Sequence, residues 1–178
     1  MKGRHHWPLT LGFHPTSRGF GWVAFEGLFA PYDWGAVRAK RDKNSVCLRA
    51  LEKLLKRLQP ETLVIEAYGR RTSLRSERIG RLCKAAGALA KDRGVDVAVF
   101  SRADIQACFA DVGAKTRQEI ANAVARHIDA LRHRLPRRRR PWEPEDPRMA
   151  LFSAAALVLT HCRYSALTFL NDMRDRSA

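Results

Sequence analysis

The sequence is short of acids, has no closely spaced cysteine pair and contains no long apolar run. Each shortage excludes something. Asp and Glu total 18 against 33 Lys and Arg over 178 residues, leaving a formal net charge of +15 and a pI near 10.7. A surplus of that sign points to a polyanionic partner, and nucleic acid is the commonest soluble one. Cys47, Cys83, Cys108 and Cys162 stand far apart, each in an apolar context. None has the C-x-x-C spacing of a zinc ribbon or finger, so they read as small buried residues. No stretch approaches the ~20 apolar residues that span a bilayer, so no membrane partner is expected. The opening MKGRHHWPLT has neither an apolar core nor a small-residue cleavage site. The expectation is therefore a cytoplasmic protein without a secretory signal. The length suits a single domain across residues 1–178.

What is present is α/β patterning. Leu9–Phe13 is a short apolar strand, and Gly19–Phe25 alternates small and large residues as a second strand would. The turn-like His14-Pro15-Thr16-Ser17-Arg18 between them predicts an antiparallel hairpin. Pro31–Val37 is a weaker third strand. Val46, Leu51, Leu54, Leu55 and Leu58 recur at helical spacing, with Asn44 or Ser45 as cap and Pro60 as stop. Thr62–Ala67 reads as a buried strand, Ser76–Arg93 as a helix, Val95–Phe100 as a strand and Arg102–Ala110 as a short helix. Thr116-Arg117-Gln118-Glu119 is a capping box opening a helix with Ile120, Val124, Ile128 and Leu131 on one face. Asp146-Pro147 predicts the N-cap and first position of a last helix reaching about Tyr164. The order gives an α/β mixed central sheet with helices on both faces. An irregular basic loop, Leu135–Pro147, precedes the last helix.

The positive charge is clustered. Arg137, Arg138, Arg139 and Arg140 crowd a proline-stiffened loop beside Trp142. Guanidinium groups there would neutralise phosphates and the indole would stack on a base or sugar. The bland alternative is a solvated charge run with Trp142 packed on a neighbouring proline. Arg70, Arg71 and Arg75 follow Gly69, with Arg78 and Arg81 continuing the stripe at helical spacing. Lys115 and Arg117 sit where a helix begins and phosphate would meet free backbone N–H groups. Arg18 follows the His14 turn. Phe20, Trp22 and Phe25 alternate with small residues and read as core.

Several of these segments together resemble the RuvC Holliday-junction resolvases. Leu11-Gly12-Phe13-His14-Pro15-Thr16-Ser17-Arg18-Gly19-Phe20-Gly21 is similar to their first-strand motif. There the position of His14 holds a catalytic aspartate and a glycine usually follows the proline. Leu63-Val64-Ile65-Glu66 resembles the strand carrying their second carboxylate. Val112-Gly113-Ala114-Lys115 and the helix after it resemble the loop and helix that approach DNA, and Ala154–Cys162 their C-terminal helix. The likeness runs from Leu9 to Cys162 in the right order. It implies an RNase H-like (RuvC-like) fold and branched DNA as partner, with Arg70, Arg71 and Arg75 lining the junction cleft. It also implies a homodimer, because a four-way junction is two-fold symmetric. Gly80, Ala85, Ala86, Gly87 and Ala88 offer a small-residue helix face for that contact.

The family's reaction is phosphodiester hydrolysis by two hard cations, ~3.5–4 Å apart, that clamp the attacking and leaving oxygens. Carboxylates are their natural ligands. Here the first-strand position is His14, the middle one Glu66, and the last-helix positions Ala150 and Ser153. One carboxylate stands where about four are expected. Asp146 lies four and seven residues before Ala150 and Ser153, on the same helical face. A His14–Glu66–Asp146 set would make a one-metal catalytic site, with histidine favouring Mn²⁺ over Mg²⁺. The alternative is structural: Asp146 as an N-cap, Glu66 paired to Arg70 or Arg71, His14 bonded to backbone. The leading expectation is a nucleic-acid-binding protein with a degenerate nuclease site that needs no cofactor. The alternatives are an active structure-selective endonuclease using Mg²⁺ or Mn²⁺, and an RNA-binding subunit of a larger complex.

Overall fold

In the computed structural model, residues 8–28, 30–68 and 74–175 are described. Strands β1 (Leu9–Thr16), β2 (Gly19–Glu26) and β3 (Pro31–Arg38) form an antiparallel meander. Helix α1 (Lys43–Leu58) leads to β4 (Thr62–Glu66), α2 (Leu74–Asp92) and β5 (Asp96–Phe100). Strands β4 and β5 run parallel to β1, so the sheet order is β3-β2-β1-β4-β5. Helices α3 (Arg102–Cys108), α4 (Arg117–His127), α5 (Asp129–Arg132) and α6 (Met149–Asp175) follow. The predicted mixed sheet, covered on both faces, is what forms.

The period of two along each strand sorts the core into two layers. Leu9, Leu11, Phe13, Phe20, Trp22, Leu63 and Ile65 point toward α1 and α2. Val23, Phe25 and Val64 point the other way, onto α4 and α6. Phe20, Trp22 and Phe25 are buried, as the alternation implies. Helix α6 lies directly on the hairpin because two glycines leave room. A Cβ on Gly12 would sit 2.3 Å from the Ala154 carbonyl oxygen, and one on Gly21 2.6 Å from the Ala150 Cβ.

Several boundaries differ from those the sequence suggests. Neither Asn44 nor Ser45 caps α1; Asp42 precedes it in a left-handed conformation without a side-chain cap. Asn44 is occupied elsewhere, donating to the Arg78 carbonyl and accepting from Arg78 Nη1 at 2.9 Å. Arg78 Nη2 also donates to the Thr16 carbonyl, so this arginine ties α2 to the end of β1 rather than continuing an open cationic stripe. Arg81 pairs with Glu77. Helix α6 begins at Met149, not Asp146, and continues well beyond Tyr164. The apolar spacing across Ile128 and Leu131 holds, yet Ile128 is extended and separates α4 from α5. Ala86 and Gly87 of the small-residue face turn inward against the sheet, while Gly80 opens outward.

By length and composition, the Met149–Thr168 stretch of α6 would pass for a membrane span; half of it is buried inside the fold. Its buried side covers β1 and β2. All four cysteines are free, with Cys47 and Cys83 buried and Cys108 and Cys162 partly so.

Candidate nucleic-acid interface around Glu66

Positions 14 and 66 meet because β1 and β4 are parallel and in register, with Phe13 beside Ile65. The next residue on each strand, His14 and Glu66, therefore turns to the α6 side at the same end of the sheet. His14 is 4% exposed and Glu66 9%. The His14 Nδ1 to Glu66 Oε2 distance is 3.5 Å. That is an electrostatic contact, too long for a hydrogen bond. Nδ1 consequently stays buried without a hydrogen-bond partner.

Glu66 lines a pocket with Arg102 at the start of α3, Arg117 at the start of α4 and Ser153 on α6, over an apolar floor that includes Phe152. Burial is the largest influence on the Glu66 carboxyl and pushes its pKa up. The His14 ring and the positive charges of Arg117 and Arg102 together outweigh burial and hold it below the usual value of 4.5. Glu66 is thus a carboxylate compensated by cationic side chains. Behind it, burial and then the Glu66 charge raise the Tyr68 phenol and push the Cys83 thiol up to about 12. Neither group ionises readily near neutrality.

Asp146 does not join this pair. Its carboxylate accepts from the Arg148 backbone N–H at 2.9 Å and from the Arg148 guanidinium at 2.7 Å. Arg148 hydrogen bonding, the largest influence, holds the Asp146 pKa low. Among the described residues no cluster of three or more His, Cys, Asp or Glu could hold a metal ion. The expected His14–Glu66–Asp146 metal site is therefore not assembled, because Asp146 is committed to its own loop. The two last-helix positions also separate: Ala150 packs against Gly21, while Ser153 faces Glu66. One carboxylate, one imidazole, a hydroxyl and two nearby guanidinium groups do not fit a pair of hard cations, whose ligands should be several oxygen anions.

The remaining cationic residues surround this end of the sheet in part. Arg18 is exposed in the β1–β2 turn. Lys115 is exposed, but its backbone N–H and that of Thr116 donate to Glu119 Oε2, completing the predicted capping box. Those two amides are not free for phosphate, contrary to that part of the sequence expectation. Arg117 Nη1 bonds Glu145 at 2.9 Å, joining α4 to the basic loop. Within that loop Glu143 receives Arg137 and the Arg140 backbone N–H, and its carbonyl receives Arg139. Arg138 has no ion-pair partner among the described residues. Trp142 is 76% exposed, with Arg140 stacked 5.7 Å from its ring centre. Arg70 and Arg71 lie outside the described residues, as does the Arg75 side chain. Arg102 was not singled out by the sequence; its role depends on the end of β5 bringing α3 beside Glu66.

No family model matches the sequence, and no curated protein does. Solved structures do match. Thermus thermophilus RuvC in complex with a Holliday junction substrate superposes with a TM-score of 0.65 at 20% identity, covering 89% of this chain and 96% of that one. The fold is RuvC-like. Thermus thermophilus RuvC on its own gives a TM-score of 0.64 at 21% identity, over 90% of this chain and 96% of RuvC. The yeast mitochondrial Holliday junction resolvase Ydc2 gives 0.66 at 11% identity, over 97% of this chain and 88% of that one. The RNase H-like α/β architecture expected from the ordered motifs is the one found.

Proposed function

We propose that this chain binds branched or otherwise structured DNA through the RuvC-like fold and has a degenerate nuclease site. The observation that carries this reading is the composition of the pocket at Glu66. A lone carboxylate is met there by His14, Arg102 and Arg117 rather than by further acids. The fold it shares with a RuvC bound to a Holliday junction and with a mitochondrial junction resolvase supports branched DNA as ligand. The net charge of +15 supports a backbone-directed mode, set by charge and shape more than by base reading. Arg18, Lys115, Arg117, the Arg137–Arg140 run and Trp142 are the proposed contacts, joined by Arg70, Arg71 and Arg75. The proposed working form is a cytoplasmic homodimer, and light scattering showing only monomer on a junction would remove the dimer.

One observation favours a second reading. The buried, unpartnered His14 Nδ1 beside Glu66 leaves a nitrogen and an oxygen ligand for a single softer ion such as Mn²⁺. The deciding experiment pairs binding and cleavage on labelled four-way junction, duplex, single strand and matched RNA, with Mg²⁺, Mn²⁺ or EDTA. Tight junction binding in EDTA without nicks is the expected result. Metal-dependent nicks absent from Glu66→Ala would establish an active endonuclease instead. Preference for the RNA of equal shape would move the ligand to RNA.

A further inference from the structure

We propose that Arg102 and Arg117 form a metal-free phosphodiester-binding site at Glu66, where guanidinium groups supply the positive charge that this fold otherwise draws from divalent cations. The proposal deepens the DNA-binding reading and rests on it.

The geometry is specific. Arg102 and Arg117 belong to different helices, yet both half-buried side chains line a pocket with Glu66 and Ser153. Glu66 and Glu145 balance the two guanidinium charges here, and once Glu145 is displaced from Arg117 the pair exceeds the Glu66 carboxylate by one charge. A guanidinium is charged at every working pH and presents paired N–H donors that match two phosphate oxygens. A divalent ion at the same place would be repelled by both groups. Arginine clamp and metal pair are thus alternatives at one position. Next to the pocket, His14 Nδ1, in a side chain 4% exposed, lies 3.5 Å from Glu66 Oε2 and has no hydrogen-bond partner. Glu145 is the internal competitor. It occupies Arg117 at 2.9 Å in this structure, and an incoming phosphate would displace it.

The test measures affinity of a fluorescein-labelled four-way junction for the full chain in EDTA, across a salt series. Arg102→Ala and Arg117→Ala are each expected to reduce the slope of log K against log salt by about 0.9, one phosphate contact apiece. The Arg102→Lys and Arg117→Lys variants keep charge and should keep the slope while losing several-fold in affinity, since the paired donors are gone. Glu145→Gln is expected to tighten binding several-fold by releasing Arg117. A purely structural Arg117–Glu145 link would give weaker binding, and that result would overturn the proposal. So would a double Ala variant, folded by circular dichroism, that retains wild-type slope and affinity. Should the Ala variants not fold, the Lys variants and Glu145→Gln decide the matter alone. Wild-type binding that appears only on adding Mg²⁺ also overturns it. Wild type that binds no nucleic acid in either buffer defeats the DNA reading itself, and this proposal with it. Failure of the variants alone defeats only the site.

Discussion

The two faces of the sheet are built on opposite principles. Under α1 and α2 the sheet presents large side chains, and Leu11, Phe13, Phe20, Leu51, Leu63 and Leu82 are essentially sealed. Burial of that kind contributes about 1.5–3 kcal/mol per large residue. Under α6, Val23, Phe25 and Val64 are sealed as well, but where the helix crosses β1 and β2 most closely the contact is made by small residues: Gly12 and Gly21 on the strands, Ala150 and Ala154 on the helix. The first face stabilises by volume. The second brings helix and strands so close that His14, Glu66 and Ser153, on three separate elements, share one corner. A buried acid is tolerated there because the arginines of α3 and α4 reach over to neutralise it.

Breaking the close face should cost most. Gly12→Val places carbon against the Ala154 carbonyl and the Val158 methyl, so the backbone must move. A loss on the order of 4 kcal/mol in urea denaturation is expected, above ordinary overpacking, together with loss of junction binding. Leu51→Ala on the other face should cost about 3 kcal/mol through the cavity it leaves. Below its melting temperature that variant should bind junction as wild type does. Weakened binding there would show that the two faces are not separable.

Next comes the corner itself. Glu66→Ala removes the carboxylate that faces the Arg102 and Arg117 charges, for an expected loss of about 1–3 kcal/mol. The pH dependence sharpens this. The Glu66 pKa is lower in the folded chain, so its contribution is complete above 4.5 and disappears as pH falls through the folded value. Wild type should therefore lose stability below pH 4.5 more steeply than Glu66→Gln. Parallel acid melts would refute the charge compensation. The smallest stability effect belongs to Trp142→Ala. At 76% exposed, its loss should leave stability unchanged to about 0.5 kcal/mol. It should weaken junction binding by about 1 kcal/mol, the low end of base–aromatic stacking.

The strands and the Thr116 capping box were legible because they are local: alternation and side-chain spacing dictate them. The register that pairs His14 with Glu66 was legible only through the ordered motifs. Arg102 was not, since nothing near it in sequence marks it; a parallel β5 and a short turn deliver it. Asn44 misled because its amide serves Arg78 across two helices. The far end of α6 was underestimated although no glycine or proline occurs between Met149 and Asp175. Asp146 reads as a helix cap and as a ligand; its carboxylate accepts the Arg148 backbone N–H in a cap-like bond ahead of α6, and the Arg148 guanidinium keeps it from the Glu66 corner.

The contact between Ala150 and Gly21 also constrains how this protein can change. A carboxylate at position 150 would have to fit where even a methyl already touches the opposing strand, and Gly21 has no side chain left to give up. Substitution by substitution, the route toward a more acidic corner is closed at 150 and open at 14 and 153. A laboratory evolution experiment selecting for cleavage should accordingly collect its new acids at His14 and Ser153 first.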